Sequence, residues 1–105
     1  MPLDSANLDN TTQFLLELRD RLTTENWRPY AVSNPQDFSE GRGCLIQQFH
    51  WVARHSGGLP YDTLRGAQQR LVKAAGCKTF DGLARFNDRR TLGDVCALVE
   101  KAIAG

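Results

Sequence analysis

Long apolar runs are missing from this chain. Its uninterrupted hydrophobic stretches reach only a few residues, as in Phe14-Leu15-Leu16, against the roughly 20 needed to cross a bilayer, so no membrane contact is expected. A paired-cysteine pattern is missing too. Cys44, Cys77 and Cys96 are odd in number and include no C-x-x-C pair, which argues against a disulfide framework and a zinc knuckle and leaves three reduced thiols. The first residues, Met1-Pro2-Leu3-Asp4-Ser5, carry an acid and neither the basic nor the apolar region of a secretory leader. A cytoplasmic location is therefore expected. Strand-like alternation is absent apart from a weak stretch at residues 30–33, and there is no internal repeat.

What is present fits one helical domain. At 105 residues, with 41% hydrophobic and 24% charged residues, the chain is long enough to close a single core without a covalent staple. Residues 1–9 show no periodicity and read as a loose tail, leaving residues 10–105 as the domain. Asn10 with Gln13 fits a capping box. Residues 11–25 then place Phe14, Leu15, Leu18 and Leu22 on one helical face. Pro29, Pro35 and Gly41-Arg42-Gly43 break the pattern, predicting a loop over residues 27–43. Trp27, Tyr30, Val32 and Phe38 are its candidate anchors, with room for a short strand or a helical turn.

A second helix is predicted over residues 44–56, with Leu45, Ile46, Phe49, Val52 and Ala53 inward and Gly57-Gly58 to close it. A third begins at Pro60 and stops at Gly76, with Leu64, Ala67, Gln68, Leu71 and Ala75 inside and a basic outer face. Thr79 caps a short fourth helix through Leu83 to about Phe86. The last helix, residues 91–104, has the clearest signature: Thr91 with Asp94 forms a capping box, and Leu92, Val95, Cys96, Leu98, Val99, Ala102 and Ile103 fill less than half of the wheel. The expected fold is all-α, a compact bundle of four to five short helices with one long loop.

No catalytic set assembles from spacing. Cys44 and His50 lie about 120° apart around the second helix, and Cys44 and His55 share a face but stand about 16 Å apart along it. The two histidines lack the i,i+4 spacing of helical zinc sites, so no metal and no cofactor are expected. A thiol enzyme using Cys44, activated at a helix start, is the remotest alternative. Gly41-Arg42-Gly43 faintly resembles an anion-binding helix start. Cys44, Gln48, Trp51 and His55 form a stripe beside the apolar arc, in which Trp51 either widens the core or anchors a partner.

Charge is segregated. Residues 1–41 hold three Arg against seven acids, residues 42–90 nine Lys/Arg against three acids, and residues 91–105 one Lys against two acids. The basic middle suggests an acidic partner or a nucleic acid. The expectation is a small non-enzymatic interaction or regulatory module that meets a protein partner through the basic middle of the chain and the 27–43 loop, with Trp51, Arg65, Arg70, Lys73, Arg85, Arg89 and Arg90 as the candidate contacts. Nucleic-acid binding by the third helix and the turn at residues 85–90 is the alternative, and self-association is left open.

Leu83-Ala84-Arg85-Phe86-Asn87-Asp88, then Arg90-Thr91, Asp94-Val95, Leu98-Val99 and Ala102, resemble the closing segment of a family of small uncharacterised proteins from actinobacteria and their phages, which ends in a W-N-D, R-T, E-V, L-L, A pattern. Phe86 stands where that family has Trp. The resemblance implies a helical architecture and a phage-related setting, and no chemistry.

Overall fold

The computed structural model describes residues 9–57, 59–88 and 90–105. The described part is all-α. Its helices are α1 (Asn10–Arg21), α2 (Pro35–Ser39), α3 (Leu45–His55), α4 (Tyr61–Ala75), α5 (Leu83–Asp88) and α6 (Leu92–Ala104), with a 3₁₀ turn at Phe80–Gly82 leading into α5. Among the described residues there is no strand, only an isolated bridge between Trp27 and Gly43, and no helix is long and apolar enough to cross a membrane.

α1, α4 and α6 pack against one another, and α3 covers the remaining side of α1 and carries α5. The core is aliphatic toward α6, with Val95 and Val99 fully buried and Leu98 and Ala102 nearly so, and aromatic toward α3, where Phe14 meets Phe49 edge-on at 4.8 Å and Phe49 meets Phe80 at 4.9 Å. Each fully buried Val, Leu or Phe side chain contributes about 1.5–3 kcal/mol of burial before entropy, and each edge-to-face pair about 0.5–1.5 kcal/mol more. α1 and α4 approach closely where Gly66 faces Thr11; a Cβ there would sit 2.9 Å from the Thr11 hydroxyl.

Helix ends follow their chemistry. Asp94 N–H donates to the Thr91 hydroxyl at 3.2 Å, and the Asp94 carboxylate accepts from Thr91 N–H at 3.1 Å, completing the box that opens α6. Thr79 caps the 3₁₀ turn by accepting from Gly82 N–H. α4 closes at Gly76 in the left-handed region, φ 69°, which suits a residue without Cβ. α1 is capped by Asp9 rather than Asn10: its carboxylate accepts from Thr12 N–H at 2.6 Å.

Two boundaries differ from expectation. α1 ends at Arg21 instead of running toward Asn26, because the chain turns at Thr23, whose carbonyl accepts from the N–H groups of Asn26 and Trp27. That turn carries the Trp27 indole to Asn87. The segment expected as a loop contains α2, capped by Asn34 with Pro35 in its first turn, so the described residues hold six helices, one more than the upper expectation of the all-α bundle. Of its four expected anchors, Val32 is buried and Trp27 half-buried, whereas Tyr30 and Phe38 are exposed.

Candidate functional site

Three side-chain amides hold residues 26–45 in place. Gln47, in the first turn of α3, accepts from Val32 N–H at 2.9 Å and from Cys44 N–H at 3.1 Å, and donates to the Val32 carbonyl at 2.9 Å. Gln48 is fully buried. Its Nε2 donates to the carbonyls of Asn26 and Gly41 at 2.7 and 2.8 Å, and its Oε1 accepts from Arg21 Nε at 3.2 Å. Asn87, fully buried at the end of α5, accepts from Trp27 Nε1 at 2.6 Å and Leu45 N–H at 3.0 Å and donates to the Arg28 carbonyl at 3.1 Å. Backbone bonds from Arg28 N–H to Gly43 and from Gly43 N–H to Asn26, each 2.9 Å, close the two ends together. Gly41 is required in this turn: its φ is +73°, and a Cβ would lie 2.4 Å from Arg21 and 2.7 Å from Trp51.

These bonds overturn the anion reading of Gly41-Arg42-Gly43. The amides of Gly43, Cys44 and Leu45 all donate inside the protein. Cys44 is 5% exposed, which leaves its thiol little access to a substrate. The Cys96 thiol is pushed up by burial and then by Glu100, the wrong direction for a nucleophile.

The clamped segment builds a groove of about 180 Å³ between α2 and α3, lined by Phe38, Gly41, Arg42, Gln47, His50, Trp51 and Arg54. Trp51 is half-buried, stacked on His55 at 3.8 Å, with the Arg21 guanidinium 5.1 Å from its ring centre. It packs against the core and also lines the groove. Burial lowers the Arg21 pKa, the ordinary cost of desolvating a cation. Arg42 is matched by Glu40 at 2.5 Å and Asp37 at 3.4 Å. Arg54 is exposed and has no salt-bridge or hydrogen-bond partner among the described residues.

No family, curated protein or solved structure matches the chain. The site's meaning therefore rests on its geometry.

A second surface gathers the basic residues around the C-terminal end of α4. One groove there is lined by Arg65, Lys73 and Lys78 with Gln68, Gln69 and Phe80. A second is lined by Arg70, Lys73 and Lys101, and a third by Arg85, Arg90 and Phe86. Among the described residues, no Asp or Glu side chain lines any of the three. The expected binding residues separate accordingly: Arg65 and Lys73 share one groove, Arg85 and Arg90 another, and Trp51 lies apart beside Phe38. Arg90 sits over the Phe86 ring at 4.8 Å. Arg70 is tied to the start of α1, donating to Thr12 Oγ1 at 2.9 Å and pairing with Asp9 at 3.2 Å. Arg89 lies outside the described residues.

The sequence marks Phe38 only as an anchor of the 27–43 loop and Arg54 only as one of several arginines able to contact phosphates, and it does not single out Lys78 or Lys101. Asn34-Pro35 followed by Asp37 is a readable helix start and would have placed Phe38 on α2. The two lysines had no signal beyond their charge.

Proposed function

We propose that the chain is a small non-enzymatic interaction module of the cytoplasm that binds an acidic protein partner through the surface around the C-terminal end of α4. One observation carries this reading. Among the described residues, the three grooves there are lined by Arg65, Arg70, Lys73, Lys78, Arg85, Arg90 and Lys101 with no Asp or Glu side chain, and only Arg70 of these cations forms a salt bridge. Elsewhere, Arg19 and Arg42 have acidic partners. Cations left unmatched in these grooves raise local potential and steer an anionic partner. The likeness of residues 83–102 to proteins of actinobacteria and their phages supports, within the same proposal, a phage-related regulatory role.

Nucleic acid is the second reading. Gln68 and Gln69 stand between Arg65 and Lys73 on the same groove, a mixture of amides and cations suited to base edges and phosphates.

Fluorescence anisotropy with a labelled Asp/Glu-rich peptide and a labelled DNA duplex separates the two. The peptide is expected to bind, to weaken as salt rises, and to be lost in an Arg65→Glu, Lys73→Glu, Lys78→Glu variant. Tighter binding of the duplex, falling steeply with salt, would transfer the surface to the second reading. No binding of either would overturn both.

A further inference from the structure

Phe38 is 53% exposed on a five-residue helix flanked by Val32 and Gly41, which the Gln47 and Gln48 side-chain amides hold, and with Trp51 it forms the apolar part of the groove between α2 and α3. Nothing in the core needs it. Fixed apolar walls around a small open groove suit one inserted side chain, since a preorganised site avoids the entropy of ordering itself on binding. The charges of the groove divide unequally. Arg42 is already neutralised by Asp37 and Glu40, whereas Arg54 has no counter-ion among the described residues.

We propose that this groove receives a short peptide segment of the protein partner, taking a large apolar or aromatic side chain between Phe38 and Trp51 and setting a neighbouring carboxylate on Arg54. The proposal deepens the reading of the chain as an interaction module and rests on it, but it concerns a separate surface. The basic face supplies long-range attraction, and the groove supplies a desolvated anchor of the kind that carries most of an interface's energy. Charge complementarity selects the occupant. A basic segment would meet an unmatched arginine, and a purely acidic one would leave the aromatic walls uncovered.

The test is an NMR titration of the full ¹⁵N-labelled chain with three capped tripeptides: Asp-Phe-Asp, Asn-Phe-Asn and Asp-Ala-Asp. The expected result is that Asp-Phe-Asp shifts the Trp51 indole and the Phe38 and Arg54 amides. Asn-Phe-Asn should do so about tenfold more weakly, the scale of one charge-assisted hydrogen bond, and Asp-Ala-Asp should leave the Trp51 indole unmoved. Arg54→Gln should bring Asp-Phe-Asp down to the level of Asn-Phe-Asn. Phe38→Ala should abolish both responses while the α6 resonances stay in place, marking an intact fold.

The Arg65→Glu, Lys73→Glu, Lys78→Glu variant separates this proposal from the one above it. Shifts at Trp51 and Phe38 should survive in that variant even as binding of the acidic peptide to the basic face is lost. Shifts confined to Arg65, Lys73 and Lys78, an equal response to Asp-Ala-Asp, or tighter binding of a short oligothymidylate at Trp51 would each overturn the peptide groove.

Discussion

The α1, α4 and α6 bundle and the segment from Thr23 to Cys44 are both ordered, but by different means. In the bundle, side chains such as Leu15, Leu71, Val95 and Val99 are removed from water, and the helices satisfy their own backbones. In the segment, a five-residue helix and one bridge supply little regular structure, so amide side chains satisfy what the backbone cannot. Gln47, Gln48 and Asn87 do from outside what a hydrogen-bonded ladder does from within. Apolar burial is non-directional and tolerates adjustment, whereas a buried amide is exacting because any partner left behind is unsatisfied. The comparison teaches that rigidity in this protein has two sources, and that the candidate groove stands on the directional one.

The largest effect should come from the bundle. Leu98→Ala, at a site 4% exposed, is expected to cost about 2–5 kcal/mol, with the whole molecule losing stability together in urea unfolding followed by circular dichroism.

Asn87→Ala comes next, at about 2–4 kcal/mol, since Trp27 Nε1, Leu45 N–H and the Arg28 carbonyl would all lose a partner. Its mark should be regional. Tryptophan fluorescence should shift at lower denaturant than the helical signal, and coincident transitions would deny the segment any separate behaviour.

Two glycines sharpen the contrast. Gly41 and Gly76 both have positive φ, +73° and +69°, but a Cβ at Gly76 meets nothing within 4 Å whereas one at Gly41 collides with Arg21 and Trp51. Gly76→Ala is expected to cost about 1 kcal/mol. Gly41→Ala should cost more, about 2–3 kcal/mol, and disturb the groove, as thermal melts of the two variants would reveal.

The smallest effect is in pH. The Asp9 carboxyl is held below its ordinary value, chiefly by the Thr12 N–H bond, then the Thr12 hydroxyl, with Arg70 assisting. Asp37 is likewise lowered, first by Asn34 and then by Arg42. A depressed folded-state value means that their stabilisation is complete above the unfolded carboxylate value of about 4 and is lost as pH falls through the lower folded value. Asp9 is exposed and Asp37 half-buried, and both pair with arginines near the surface, so the loss should be slight. Asp9→Asn should flatten part of the acid limb of a stability-against-pH curve.

The same division explains what could be read in advance. α6 was legible because its apolar residues recur at helical spacing and Thr91 and Asp94 announce its start, both local signals. Gly76 and Thr79 were legible for the same reason. Helical spacing puts Gln48 in a stripe beside the apolar arc, yet it is fully buried, because it bonds to Arg21 and to the Asn26 carbonyl, 27 and 22 residues away and outside any periodicity. Asn87 read as a turn residue between two helices; it lies in α5, and its role depends on Trp27, 60 residues away. The basic character of the middle of the chain was visible as a count, but the pairing of Arg70 with Asp9 was not, since it needs α1 beside α4.

Native-state hydrogen exchange of the amides of Arg28, Val32 and Gly43 tests most directly whether the segment is held as a fixed platform. All three donate within the segment or to α3. The account predicts protection approaching that of α1 and α3, falling sharply at these three amides in Asn87→Ala while α6 keeps its own. Exchange at the rate of an unstructured chain in the unsubstituted protein would contradict it.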